Sequence, residues 1–575
     1  MFTIITIYPC YIFVNKKIRL LSCLCLSLRG ETEIALFNAV LVLRCRCMKK
    51  WSIVILLACA QFVMILDSTV MNVSISTVVK DLDTSVAAMQ TAITFYALTM
   101  AAFMLLGAKL CDVWGRRKVF ILGSIIYAIG SLVTGLSQNI QTLFLGWSVI
   151  EGIGAVLVIP AIAALVANNY KGKDRVTAFA IIGGISGAAM AAGPLIGGFV
   201  TTYLSWRYVF YGEVIIMATI LLFRGVLKDS AKIVKSHIDV TSVILSATGL
   251  ISLVYGMLQS KTWGWVQPMG AMTINGKEIT PLGISMVAYI LLLSLVILKL
   301  FFDRQQTLKD RGQPPLLDPS LFDIKQLRSG LSVLLSQYAI TAGVFFVIPV
   351  YLQMTLGYDA LKTGIKIFPL SISLIIFSII GTRLISVWSP KKIIRTGQIV
   401  LIASSVLLLS AVSIDLRGFL FGAAMFFVGA ALGLLASQIG NVNMSSVKES
   451  ETSAVGGLQG VFQNLGSSLG TALIGSVLIA SLTTVFNSNV QSSDLPSNVK
   501  TYIGDNTKAG VEVVPVTQVD DIAKAKGLSD AEAATLSQTY EDSQVDSLRT
   551  AIYALIAISV ISLLFSKNIP NKKVA

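Results

Sequence analysis

Residues 112–123 read DVWGRRKVFILG, and residues 386–397 read SVWSPKKIIRTG. Val113-Trp114, Arg117-Lys118 and Gly123 recur in register as Val387-Trp388, Lys391-Lys392 and Gly397. Each copy is a short basic turn with a long apolar run on both sides. A basic turn that returns in the same surroundings means that the chain is built twice. Composition says what is repeated: the 575 residues are 55% hydrophobic and only 13% charged, with a mean hydropathy of +0.78. Soluble chains carry about a quarter charged residues. A soluble enzyme is therefore excluded as the main body.

A membrane crossing takes roughly 20 apolar residues, and outward from the two basic turns the chain divides into fourteen such runs. They lie near 52–74, 87–107, 119–136, 142–166, 176–200, 208–227, 239–258, 282–302, 330–354, 364–387, 393–412, 417–436, 454–484 and 549–566. The expected fold is an all-α polytopic membrane protein of 14 transmembrane helices, with spans 1 to 6 and 9 to 14 as two six-helix bundles and spans 7 and 8 inserted between them. Lys and Arg in the connections after even-numbered spans far outnumber those after odd-numbered ones. That asymmetry places the even connections, and both termini, in the cytoplasm. The net charge of +15 is then a record of orientation, and nucleic acid is not an expected partner.

The organisation that follows is an N-terminal extension, 1–47, then a first bundle, 48–230, and the inserted pair, 231–303. A cytoplasmic connection, 304–329, leads to the second bundle, 330–566, and a cytoplasmic tail, 567–575. Five of the seven cysteines, Cys10, Cys23, Cys25, Cys45 and Cys47, precede Met48. No run before Met48 is long enough for a confident span, so translation is expected to begin there, ahead of Lys49-Lys50. The external connection 485–548 carries ten acidic residues against four lysines. Its segment AKAKGLSDAEAATLSQTYEDSQVDSL favours helix, and a short helical hairpin over the outer mouth is expected. The one histidine, His237, lies in a polar stretch, so a proton relay inside the membrane has to use carboxylates, tyrosines or lysines. No metal site and no cofactor are expected.

Four stretches carry a resemblance to the major facilitator superfamily, and within it to the fourteen-span drug:proton antiporters of bacteria. LDSTVMNVSIS in span 1 resembles the Leu-Asp-x-Thr-x-x-Asn-Val-Ala-x-Pro signature, with Ser76 in the proline position. GAKLCDVWGRRK is similar to the loop after span 2, where Asp112, Gly115, Arg116 and Arg117 would act as a conformational switch; Ala108 stands at its first glycine. AAGPLIGG in span 5 resembles the antiporter motif through Gly193, Pro194, Gly197 and Gly198, with Ala189 as the leading small residue. LGWSVIEGIGA in span 4 matches Arg-x-x-Gln-Gly-x-Gly except that Ser148 replaces the arginine and Glu151 the glutamine. The usual membrane cation has gone and an anion has appeared.

The resemblance implies a major facilitator fold and a proton-coupled exporter of lipophilic, cationic drugs in the bacterial plasma membrane. It would work as a monomer, driven by the proton gradient, with a small molecule, protons and the bilayer as its partners. Asp67, Glu151 and Glu213 are the intramembrane acids. A charge at mid-bilayer costs on the order of 3 kcal/mol even on the lenient scale, so each is a functional hypothesis by default. By helix rise all three fall in the outer half of the first bundle, and Asp67 and Glu151 could face each other, where both cannot comfortably ionise. The alternatives stay open: a capping role for Asp67, an interhelical hydrogen bond for Glu151, a pairing of Glu213 with Arg207. Gln337, Tyr338, Gln459, Gln463 and Asn464 are possible substrate contacts or interhelical bonds. The rival functions are export of a dedicated metabolite, lipid or peptide, and a polytopic enzyme or sensor. No GxxxxGK[ST] loop occurs, so ATP is not the direct energy source.

Overall fold

A computed structural model describes residues 31–227, 238–268, 272–274, 277–414, 416, 418–448, 451–507 and 510–571. His237, Cys10, Cys23 and Cys25 lie outside them. The chain divides into a unit Met1–Leu56 and a unit Leu57–Ala575. The described part of the first is helical; everything below concerns the second, apart from the start of span 1.

Thirteen helices among the described residues are long and apolar enough to cross a membrane. Spans 1 to 5 are Trp51–Val73, Val86–Trp114, Arg116–Gly135, Ile140–Asn169 and Thr177–Tyr203. Spans 7 and 8 are Val240–Trp263 and Met286–Asp310. Spans 9 to 14 are Lys325–Thr355, Ala360–Leu384, Pro390–Ala411, Gly418–Met444, Ala454–Ser492 and Asp530–Asn568. The sixth run is a helix of 16 residues, Arg207–Leu222, followed by a 3-10 turn at Arg224–Val226. At about 1.5 Å per residue it is roughly 24 Å long, shorter than its neighbours.

Local chemistry marks the ends. Ser85, Asp239, Asp359 and Ser389 cap spans 2, 7, 10 and 11 by accepting a backbone N–H, which satisfies donors a helix start leaves free. Gly115 takes φ +93 between spans 2 and 3, a conformation that costs glycine nothing. A two-stranded hairpin, β1 (Met272–Ile274) antiparallel to β2 (Lys277–Ile279), joins spans 7 and 8.

Packing follows the repeat. Spans 3, 4 and 6 pack together with span 2, and spans 9 to 14 pack among themselves. The bundles meet where span 2 lies on span 13 and span 5 lies on span 10. The offset of eight that maps the first bundle onto the second turns one of these pairs into the other, the behaviour of a two-fold repeat. Spans 7 and 8 pack on each other, and span 7 lies against spans 2 and 13. Leu98, Val254, Leu258 and Ala472 form the apolar core of that junction.

The acidic stretch 485–548 is largely helical. Span 13 continues to Ser492 and span 14 starts at Asp530, behind a Ser529–Glu532 capping box. Short helices Ser497–Asn506 and Val516–Ala525 lie between them. They are tied down by Tyr540, whose hydroxyl donates to Glu512 O at 2.8 Å, and by Gln544, which donates to Val514 O at 3.0 Å.

Candidate functional site: a buried carboxyl triad

Asp67, Glu151 and Glu213 come from spans 1, 4 and 6, and each is buried, with at most 1% of its surface exposed. One carboxyl oxygen from each lies within 4.8 Å of the other two. None of the ion pairs among the described residues involves them. The triad is an uncompensated acidic cluster. At 4.8 Å, two ionised carboxylates repel by about 3 kcal/mol even at an effective dielectric of 20. Such a group holds protons or a counter-cation.

The triad forms because spans 3 and 4 touch backbone to backbone. A Cβ added at Gly130 would lie 2.5 Å from Glu151 N and 2.7 Å from its Cα, and one at Gly154 would lie 2.5 Å from Tyr127 N. Span 4 also departs from α geometry: Phe144–Glu151 is π-helical, and such bulges are frequent at functional sites. The bulge ends on Glu151. It also carries Trp147, whose indole N–H donates to both Asp67 oxygens at 2.9 Å and whose ring stacks on Tyr96 with centroids 4.9 Å apart.

Hydrogen bonding around the triad is incomplete. Ser131 donates to Glu213 Oε2 at 3.1 Å, but Glu213 Oε1 and both oxygens of Glu151 have no partner. Nor do the hydroxyls of Tyr96 and Tyr127, which lie in the field of all three acids. Buried polar atoms are normally paired, so each orphan needs a reason. Tyr96, Tyr127, Trp147 and Ser131 are the site residues that sequence reasoning missed. Arg207, the alternative partner of Glu213, is engaged elsewhere: it pairs with Asp81 and donates to Ser137 O at 2.8 Å.

The other predicted positions serve the helix contacts. Asp112 and Arg116 are 3.8 Å apart across one turn, with Gly115 between them and Arg117 at the start of span 3. In span 5, a Cβ on Gly193 would lie 1.8 Å from Thr69 Oγ1, and one on Gly197 would lie 3.0 Å from Val70 Cα. Gly198 faces Ala360 O, and Pro194 O faces Gly364. The motif thus closes span 5 onto span 1 on one side and span 10 on the other. Gln337 and Gln459 reach carbonyls of span 12, Leu432 O and Gly440 O, at 3.5 Å. Asn464 bonds within its own helix, to Gly460 O. Gln463 and Tyr338 are half-buried. None of the five joins the triad.

At the end of the bundles away from the 112–118 loop, Gln353 bridges the halves. It lies in a second π-helical segment, Tyr351–Thr355. Its Nε2 donates to Val73 O at 2.7 Å, and its Oε1 accepts from Ser76 N at 3.0 Å. Leu361 N donates to Thr202 Oγ1 beside it. Further along span 5, a side chain at Gly183 or Gly184 would meet nothing within 4 Å.

Comparison with known proteins agrees with this architecture. The chain is 28% identical over 435 residues to the puromycin resistance protein pur8 of Streptomyces alboniger, covering 74% of this chain and 81% of that protein. It is 26% identical over 530 residues to the multidrug transporter protein MdtP of Bacillus subtilis, covering 89% and 93%. Among solved structures it resembles a bacterial homologue of the human lysosomal transporter Spinster in an inward-facing and occupied conformation, with a TM-score of 0.53, 15% identity, and coverage of 90% of this chain and 96% of that one. The D-xylose-proton symporter gives a TM-score of 0.52 at 12% identity, covering 74% and 90%. Residues 57–471 match the family model of the Major Facilitator Superfamily, so this multi-pass membrane protein belongs to that family of transporters.

Proposed function

We propose that the chain is a proton-coupled antiporter that exports lipophilic, cationic compounds across the bacterial plasma membrane as a monomer, with both termini in the cytoplasm. The observation that carries the reading is the triad itself: three carboxyls from three helices of one bundle, buried and without a basic partner. Protonation from outside would release a bound cation, and deprotonation inside would restore the acceptor. If two protons enter for each monovalent cation expelled, one net charge moves. Across 100 mV that supplies about 2.3 kcal/mol. The resistance and multidrug names of its relatives support a drug as cargo.

The test uses everted membrane vesicles loaded with a fluorescent cation, energised, then collapsed with an uncoupler. Wild type should accumulate the dye in a gradient-dependent way, and Asp67→Asn and Glu151→Gln should not. Unchanged gradient-driven transport in both variants would sink the proton-acceptor assignment. A second reading, export of one endogenous metabolite, is favoured by relatives named for tetracenomycin C export, cephamycin export and, as a probable transporter, actinorhodin. Absence of substrate-driven proton movement with every cationic drug tried would select it.

A further inference from the structure

The triad has the dimensions of a metal site. For three atoms that are at most 4.8 Å apart, some point lies within about 2.8 Å of all of them. Calcium-sized cations sit roughly 2.3–2.6 Å from oxygen, and magnesium demands roughly 2.0–2.1 Å. Even at the widest spacing the larger ion needs only a small contraction, and the smaller always needs a greater one than the larger. All the donors are oxygens, a set that suits hard cations and not zinc or copper.

A second observation points to a ligand. Tyr96 and Tyr127 are 3% and 0% exposed, and neither hydroxyl has a hydrogen-bond partner. Tyr96 stacks on Trp147, the donor to Asp67, and Tyr127 packs on the stretch of span 4 that carries Glu151 and Gly154; both lie in the field of the three acids. With the free oxygens of Glu151 and Glu213, these hydroxyls give an oxygen-lined site whose acceptors are otherwise unused. Trp147 and Ser131 already donate to Asp67 and Glu213, as the outer shell of a metal site does when it fixes carboxylate orientation. We propose that Asp67, Glu151 and Glu213, completed by the hydroxyls of Tyr96 and Tyr127, bind a calcium-sized divalent cation. Two positive charges neutralise all but one of three carboxylates, whereas a sodium ion leaves two charges buried. The inference stands on this geometry and not on the export reading, so either can fail alone.

Terbium, a calcium-sized probe sensitised by nearby aromatic rings, tests it on the purified full-length protein in detergent. Excitation of the Trp147 and Tyr96 stack should give terbium luminescence that calcium displaces at concentrations at least tenfold below magnesium or sodium. Glu151→Gln should weaken terbium binding more than tenfold. Tyr127→Phe, which keeps the charge, should weaken it about tenfold; it decides the matter if the carboxyl variant elutes as aggregate. Luminescence that calcium does not displace, or terbium affinity unchanged in Tyr127→Phe, overturns the proposal. Displacement by sodium as effective as by calcium overturns the divalent assignment. In either case vesicle export that still depends on Glu151 would leave the proton-coupled reading standing.

Discussion

Trp147 donates one indole N–H to both carboxyl oxygens of Asp67, at 2.9 Å each. Span 4 thereby holds the acid of span 1 four residues before it delivers Glu151. The same ring stacks on Tyr96 of span 2, so one side chain ties three helices to the site. Trp147→Phe keeps the stacking surface and removes the donor. A hydrogen bond to a charged group is worth about 1.5–3 kcal/mol, so gradient-driven dye transport should fall about tenfold or more while the protein still elutes as one species. An unchanged initial rate would mean that the indole does not orient Asp67.

The close approach of spans 3 and 4 makes Gly130 a point of failure directly behind the triad. Its added Cβ would lie 2.5–2.7 Å from backbone atoms of Glu151, which cannot yield as a flexible side chain could. Overpacking of this kind typically costs about 1–3 kcal/mol. Gly130→Ala should lower the thermal midpoint in detergent by several degrees and also reduce transport, because the two helices separate at the triad. Gly183→Ala meets nothing within 4 Å and should leave the midpoint where it is. Equal stability of the two variants would remove the packing argument.

Gln353 joins the two bundles, at their end away from the 112–118 loop, with two hydrogen bonds to span 1 and its extension, at Val73 O and Ser76 N. Both ends of one amide are used, so Gln353→Ala removes a bridge between the bundles without touching the triad. At about 1 kcal/mol per net bond, the closed arrangement should lose about tenfold or more in population relative to the open one. A cysteine placed at buried Asn72, in a background lacking all seven native cysteines, reports this through its rate of maleimide labelling. The rate should rise by about the same factor in Gln353→Ala. A rate that stays constant denies Gln353 a part in closure.

These residues show how far the sequence can be read. Asp67, Glu151 and Glu213 stand out because a carboxyl in an apolar run is costly, and the fourteen runs stand out because each needs its own length of hydrocarbon. The partners of the triad do not. Tyr96, Tyr127 and Trp147 look like ordinary apolar content of spans 2, 3 and 4, and only their orphaned or shared polar atoms set them apart. Arg207 was a reasonable partner for Glu213 by proximity in sequence; its actual partner, Asp81, lies 126 residues away and is invisible to local patterning. Likewise Gln353 reads as one more amide in span 9, and its role depends on a contact across 280 residues.

Outside the hydrocarbon, the start of span 7 offers a pH-dependent contribution whose sign can be worked out. Asp239 caps that helix through Ser242 N at 3.0 Å and receives two bonds from Arg304 of span 8, at 2.9 and 3.2 Å. Chiefly because of Arg304, its carboxyl is held down at about 2, below the ordinary 3.8. A carboxyl depressed in the folded state stabilises fully above its ordinary value, and that stability is lost as pH falls from about 4 toward 2. Each unit corresponds to about 1.36 kcal/mol, and with Asp239 20% and Arg304 35% exposed solvent screening reduces the total to about 1–2 kcal/mol. Asparagine is also a good N-cap, so Asp239→Asn isolates the charge from the cap. The variant should be less stable than wild type by that amount at pH 7 in denaturant unfolding, and the difference should shrink toward zero between pH 4 and pH 2. A difference that persists undiminished at pH 2 would assign the loss to altered helix packing, because the folded-state carboxyl is by then about half protonated and most of its charge-dependent stabilisation is gone.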